Sequence, residues 1–392
     1  MKIVKPLKNR YASITPETVS ATLRPSKSLT ENKIVFLPAA IPKADVVFAF
    51  DLTGSMYDDI GVAKSQAINI MTALDTLISD AQYGVISFMD YPGYYSSYGY
   101  SDYYGDASWG DYAYRLDQGI TDDRTLISNK INSLIIGYGA DGPQDYTRIM
   151  YESYADPAVG WRAGAKRILI ILGDAIPHDD NLDEGVPGIS PPVYGSTGGD
   201  PGRDEVMFTA DDLDLQTVLQ GMKDNNVVLL FVMGSGYGAI QHWTYWTGIT
   251  GGGVYMLSDV TEIPTAIAEL VGAQATHVDK LTLKAETGYE AWLTNVVPEE
   301  YTDIDIPPEG ATKTFEITIT VPLGTTPGIY KFHIIADADG ASYGEQEVTI
   351  TVPPSMVIPE VPLGTILASA AMFIGLLSYP GIQKIRRTPK LP

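Results

Sequence analysis

Between Ala44 and about Ala275, short apolar runs alternate with stretches whose apolar residues recur every three to four positions. The runs at 45–51, 83–89, 167–173, 226–233 and 253–257 are near-continuously apolar, as in strands buried on both faces. The stretches at about 58–80, 123–136, 145–156, 208–224, 239–247 and 260–274 have helical periodicity. This alternation predicts an α/β domain over 44–276, with a doubly wound, mostly parallel sheet covered by helices on both faces. The strand at 83–89 is the candidate for an antiparallel edge member of that sheet.

From about Lys280 the texture changes to short alternating strands, at Leu281–Ala285, Ala291–Val297, Thr314–Val321, Gly328–Ala336 and Gly344–Val352, punctuated by Pro307-Pro308, Gly324 and Gly340. This pattern predicts an immunoglobulin-like all-β sandwich over 277–354. Five strands are few for such a unit. Residues 1–43 offer two more, around Val19–Leu23 and Lys33–Leu37, so they are expected to pair with the C-terminal sandwich, with the α/β domain inserted between its halves.

Val361 to Tyr379 contains no charged residue, a length sufficient to cross a bilayer core at about 1.5 Å per residue. A transmembrane helix is therefore expected at 359–380. Lys384, Arg386, Arg387 and Lys390 in the basic tail, 381–392, place that tail in the cytoplasm and the rest outside the cell. Met1–Thr15 has no apolar h-region, so no signal peptide is visible, and the expectation is a start further upstream.

The chain of 392 residues has a formal net charge of -22. That disfavours nucleic acid and anionic membrane surfaces as partners, since either needs a basic face. Cysteine is absent, which excludes disulfides, thiol chemistry and zinc–thiolate sites. The four histidines, His178, His242, His277 and His333, are too scattered for a His-rich metal site.

The candidate chemistry lies in three loops. Asp51-Leu52-Thr53-Gly54-Ser55 leaves the apolar run Val46–Phe50, where open α/β sheets place ligands. A carboxylate and two hydroxyls at i, i+2 and i+4 are hard oxygen donors of the type Mg²⁺ prefers. Gly139-Ala140-Asp141-Gly142-Pro143-Gln144-Asp145 precedes a helix, and Asp174 follows the apolar run ending at Gly173. Between Asp90 and Arg115 the chain is rich in Tyr, Ser and Gly, the composition of protein-binding loops.

These motifs resemble the von Willebrand factor A family and its metal-ion-dependent adhesion site, most closely the A-like domain of integrin β subunits. The resemblance covers about 230 residues. It implies that Asp51, Thr53, Ser55, Gln144 and Asp174 hold Mg²⁺, with Gln144 standing where the integrin pattern has a glutamate. It also implies an adjacent site at Asp58 and Asp59, and a third at Asp90, Asp141, the Pro143 carbonyl and the Gln144 oxygen, where Gly139 replaces an asparagine. Ca²⁺ is the ion expected at both flanking sites. Tyr94, Tyr95, Tyr98, Tyr100, Tyr103, Tyr104 and Trp109 fall where the integrin subunit carries its specificity loop. Pro359-Glu360-Val361 resembles archaeal Pro-Glu-Phe sorting tails, with valine in place of phenylalanine.

The function this implies is non-enzymatic: a membrane-anchored surface protein that binds a protein partner presenting an acidic side chain, or a glycan, through a divalent cation. The competing readings are a cell-envelope protein whose ions only stiffen loops, and a metal-assisted hydrolase. Against the latter, Ser55 lacks nucleophile-elbow spacing and no histidine stands near it in sequence.

Overall fold

The computed structural model describes residues 11–190, 192–234, 239–354, 368 and 371–374. Three strands, β1 (Ser13–Thr15), β2 (Thr18–Thr22) and β3 (Ser28–Leu37), precede β4 (Ile41–Asp51), α1 (Tyr57–Leu74) and β5 (Ile78–Phe88). A hairpin of β6 (Gly93–Ser97) and β7 (Tyr100–Gly105) leads to β8 (Arg115–Thr121), α2 (Arg124–Ser133) and α3 (Tyr146–Ala155). Then come β9 (Lys166–Gly173), α4 (Leu215–Asp224), β10 (Val227–Met233), α5 (Ile240–Ile249), β11 (Gly253–Met256) and α6 (Ile263–Thr276). The chain continues through β12 (His277–Ala285), β13 (Leu293–Val297), β14 (Glu300–Asp305), β15 (Ala311–Thr320), β16 (Gly328–Ala338) and β17 (Ala341–Val352).

The central sheet has the order β11-β10-β9-β4-β5-β8. Strand β4 shows why it must be covered twice. Val46, Phe48 and Phe50 pack into a core with Ile60, Ala63 and Ile70 of α1, Ile127 of α2 and Ile267 of α6. The intervening Val47 and Ala49 enter a second core with Ile149 of α3, Leu219 of α4 and Trp243 of α5. Successive side chains of a strand point to opposite faces, so an unbroken apolar run requires helices on both.

The edge strand differs from expectation. β5 runs parallel to β4, and the antiparallel edge member is β8, which pairs with β5. The burial of the two strands explains this: Tyr83 to Phe88 of β5 are almost entirely buried, whereas β8 is half-exposed along its length. Two helices are also shorter than their periodicity suggests. α1 stops at Leu74 because residues from Ile78 onward pair with β4. α4 starts only at Leu215, where the Asp214 side chain caps it by accepting from the Thr217 amide.

The remaining strands form two sheets, ordered β1-β3-β15-β13 and β14-β12-β16-β17-β2. One apolar core joins them, with Val35, Phe315 and Ile317 from the first sheet and Leu281, Phe332, Ile334 and Val348 from the second. β3 pairs with β15 along its whole length, from Ser28 opposite Thr320 to Leu37 opposite Ala311. β2 pairs with β17 in parallel. This two-sheet module meets the α/β layer at the amino-terminal ends of the central strands. There the Ser342 amide donates to the Gly164 carbonyl at 3.0 Å, and Lys166 pairs with Asp339 at 3.4 Å. The carboxyl ends of the central strands are left free for a site.

The expected membrane helix at 359–380 and the tail at 381–392 lie almost wholly outside the described residues. Among the described residues, no helix is long and apolar enough to cross a membrane.

Arg162 closes the amino-terminal end of the sheet. Its guanidinium donates to the fully buried Asp45 carboxylate at 2.5 Å and to Asp80 at 2.8 Å. Removing it strands a buried carboxylate, so Arg162→Ala is expected to cost about 3 kcal/mol in urea unfolding. A loss below about 1 kcal/mol would show that the Arg162 amide and water suffice for Asp45.

Candidate metal centre

The strand order reverses at β4, whose neighbours are β5 and β9, so the loops leaving β4 and β9 diverge around a crevice. Asp51 is the last residue of β4, and Asp174 follows the last residue of β9. The loop before α3, carrying Gln144, closes the third side. A cleft of about 600 Å³ opens there, lined by Thr53, Ser55, Tyr138, Asp141, Gln144 and Asp174 among others, and none of its lining residues is basic.

Asp51 is fully buried. One of its oxygens accepts from the Thr53 amide at 2.9 Å and the Thr53 hydroxyl at 2.6 Å, and the other from the Tyr146 phenol. The Ser55 hydroxyl donates to Asp174 at 3.0 Å and lies 3.4 Å from the Thr53 hydroxyl. Burial pushes the Asp51 carboxyl up to about 7; the bonds from Thr53 and Tyr146 oppose the rise, and the charge of Asp174 adds to it. Burial also raises Asp174.

Gln144 reaches the same place. Its amide nitrogen donates to the Asp141 carbonyl at 3.2 Å, and Oε1 is buried without a partner among the described residues. Gly139 brings the loops together: it has φ +65°, and a Cβ there would lie 2.7 Å from Thr53 Cγ2 and 3.0 Å from Gln144 Oε1. The position expected to lack a ligand is thus one where no side chain fits. An orphaned carbonyl oxygen, two hydroxyls and two carboxylates, with no basic side chain among the cleft's lining, form a donor set that fits a hard divalent cation.

Asp58 and Asp59 separate. Asp59 is buried, and burial together with the charge of Asp174 lifts its carboxyl to about 6. Asp58 is exposed and lines a groove with Tyr57, Lys64 and Ile136. Adjacent helical residues point in different directions, and it is Asp59 on which the charge of Asp174 acts.

Asp90 and Asp141 do come together, and His178 joins them. His178 Nε2 lies 3.1 Å from Asp90 and 3.7 Å from Asp141. The three offer ligand atoms close enough to hold one ion, as do Asp179, Asp180 and Asp214 in the loop after β9. Burial disfavours the charged form of His178, but Asp90 and Asp141 outweigh it and the net shift is upward.

The tyrosine-rich segment divides into an inner and an outer layer. Tyr104 is fully buried, its ring stacked on His178 at 3.5 Å, so it is a packing residue and not a contact residue. Tyr100 donates to Asp141 at 2.7 Å, and Tyr95 packs on Tyr91. Tyr94, Tyr98, Tyr103 and Trp109 are exposed, with Trp109 stacked on Tyr138 at the cleft.

Three positioning residues carried no sequence signal. Asp111 accepts from the Tyr138 and Gly139 amides and fixes the second loop. The Tyr146 phenol donates to Asp51 while accepting from the Asp174 and Ala175 amides, so it ties the first loop to the third. Only a glycine at Gly173 leaves room for that ring. His178 is the third, because its partners lie far off in sequence.

No family model matches the chain. It is similar to solved structures at 14% identity. One is a von Willebrand factor type A protein from Catenulispora acidiphila, with a TM-score of 0.38 over 88% of this chain and 75% of that one. A second is the ArnB paralog VWA2 from Sulfolobus acidocaldarius, with a TM-score of 0.36 over 88% and 76%, also at 14% identity. A third, again at 14%, is the open conformation of the pilus adhesin SpaC from Lactobacillus rhamnosus GG, with a TM-score of 0.40 over 84% of this chain and 46% of that one.

The raised carboxyls make the cation-free protein sensitive to pH. A carboxyl whose folded pKa exceeds its unfolded value of about 4 loses stability as pH rises through the folded value. For Asp51 and Asp59 that window runs from about pH 4 to the values of about 7 and about 6. The melting temperature of chelator-treated protein is therefore expected to fall across this window, and excess Mg²⁺ to restore it at pH 7. A flat profile, unaffected by Mg²⁺, would contradict the assignment.

Proposed function

We propose that the chain is a non-enzymatic binding protein that captures a partner through a Mg²⁺ ion at the β4/β9 crevice. The observation that carries this reading is the buried Asp51 carboxylate beside Asp174, Thr53, Ser55 and the orphaned Gln144 oxygen, opening on a cleft with no basic lining residue. The bound ion supplies an electrophilic position that an acidic group of the partner completes. Asp51, Thr53, Ser55, Gln144 and Asp174 hold the ion. Tyr146 and Asp111 keep the loops in register, and a neutral amide at Gln144 leaves more of the ion's charge for the incoming carboxylate.

Trp109, stacked on Tyr138 at the cleft, and Tyr98 and Tyr103 of the β6–β7 hairpin supply exposed aromatic area of the kind that carries binding energy at small entropic cost. The same reading makes the two-sheet module an immunoglobulin-like stalk. It is continuous with the anchor at 359–380, and the binding domain lies outside the cell. Ca²⁺ at Asp59 would stiffen the first loop.

Panning the protein against a displayed random-peptide library tests the proposal. Glutamate- or aspartate-containing peptides are expected to be enriched in Mg²⁺ and lost in EDTA. Asp51→Ala, still folded by circular dichroism, should enrich none. Trp109→Ser should lower the yield while leaving Mg²⁺ affinity intact. Enrichment that survives EDTA, or that Asp51→Ala retains, would sink the proposal.

A further inference from the structure

Beside the adhesion cleft, four buried carboxylates converge: Asp90, Asp145 and Asp200 are buried, and the Asp141 side chain is only 3% exposed. Their hydrogen bonding is incomplete. Among the described residues, Asp141 Oδ1, both oxygens of Asp145 and Asp200 Oδ2 are buried without a hydrogen-bond partner, and the Asp145 carboxyl lies against that of Asp90. Arg148 is paired with Glu152 at 2.8 Å and reaches this cluster through its charge on Asp145 and Asp200 and its bond to the Tyr91 phenol. Buried carboxylates left in this state are costly unless a proton or a cation meets them.

His178 is oriented as a ligand. Its Nδ1 lies 2.7 Å from the Thr197 carbonyl, which can only accept, so Nδ1 carries the proton. That leaves Nε2 facing Asp90 Oδ2 at 3.1 Å and Asp141 Oδ1 at 3.7 Å. A ring N–H bound to a backbone carbonyl is how metal-ligating histidines are held in one tautomer. The stacked Tyr104 ring fixes the imidazole plane, and the Tyr100 phenol holds Asp141 through its other oxygen. Ligand–metal bonds of about 2.1 Å in a tetrahedral shell put neighbouring ligand atoms roughly 3.4 Å apart, between the two observed separations.

We infer that Asp90, Asp141 and His178 Nε2 bind a divalent transition ion of the Zn²⁺ class, separate from the Mg²⁺ site. The imidazole nitrogen decides the class, since Mg²⁺ and Ca²⁺ favour all-oxygen shells while Zn²⁺ takes mixed nitrogen and carboxylate donors. Asp141 also lines the adhesion cleft, which gives the ion a route in. An ion here would tie the Asp90 end of β5 to the second and third loops, bracing the tyrosine-rich segment through Tyr104 and Tyr100. The inference does not depend on the adhesion reading.

The test uses the chelator-stripped full chain in millimolar Mg²⁺, with Co²⁺ as a spectroscopic probe and Zn²⁺ as competitor. One equivalent of Co²⁺ is expected to give a visible ligand-field band that Zn²⁺ abolishes, both in the wild type and in Asp51→Ala. Asp141→Asn, a near-isosteric change, should remove the band and weaken Zn²⁺ binding by more than about tenfold. His178→Gln should do the same. Absence of the band in wild type, or its persistence in a folded Asp141→Asn or His178→Gln, overturns the inference and leaves His178 as an imidazolium that fills the gap itself. Loss of peptide capture in Asp51→Ala with the band intact would separate the two sites.

Discussion

Burying negative charge at the carboxyl ends of a parallel sheet is the constraint on which the upper half of this molecule depends. Asp51 has no exposure, and Asp174 lies close enough to raise the proton affinity of both Asp51 and Asp59. A carboxylate in such a place must be met by donors, by a proton or by a cation. The protein supplies donors sparingly: the Thr53 amide and hydroxyl, the Ser55 hydroxyl and one phenol from Tyr146. It supplies no basic side chain along the cleft. The loop geometry follows from that shortage, because the Tyr146 phenol must reach the crevice from α3 to supplement the donors of Thr53 and Ser55 in the first loop.

The architecture keeps this costly region away from the parts that hold the chain together. Both helical layers pack against the middle of the sheet, and the two-sheet module joins its amino-terminal end through Gly164, Lys166, Ser342 and Asp339. The carboxyl ends are thereby left to loops, and the β6–β7 hairpin rises beside them with its aromatic rings in two layers. The inner layer, Tyr91 and Tyr104, packs; the outer layer, including Tyr98 and Trp109, faces solvent.

Much of the α/β half could be read along the chain because burial on both faces writes itself as unbroken apolar runs. Val46 to Phe50 is such a run, and the loop after it carries Asp51. Periodicity reports burial but not strand direction, so it marks 83–89 only as a candidate for the antiparallel edge, and β8, half-exposed along its length, leaves no apolar run to read. The β6–β7 hairpin was hidden because tyrosine and serine alternate there with no apolar face to betray a strand. Asp58 and Asp59 are adjacent in sequence, yet one is exposed and the other buried. His178 was the least legible residue: its partners Asp90 and Asp141 lie 88 and 37 positions away, and nothing local marks a histidine that will stack under Tyr104. Gly139, in turn, replaces an expected ligand because its φ of +65° and its closeness to Thr53 and Gln144 admit no side chain.

The central claim is that one divalent cation completes the crevice between β4 and β9. Crystals grown in Mn²⁺, with diffraction measured above and below the manganese absorption edge, address it directly. The account predicts an anomalous peak within bonding distance of Ser55 and Thr53 and next to Asp174, with an open position facing the cleft. An empty crevice at millimolar Mn²⁺, with the Ser55–Asp174 hydrogen bond intact, would contradict it.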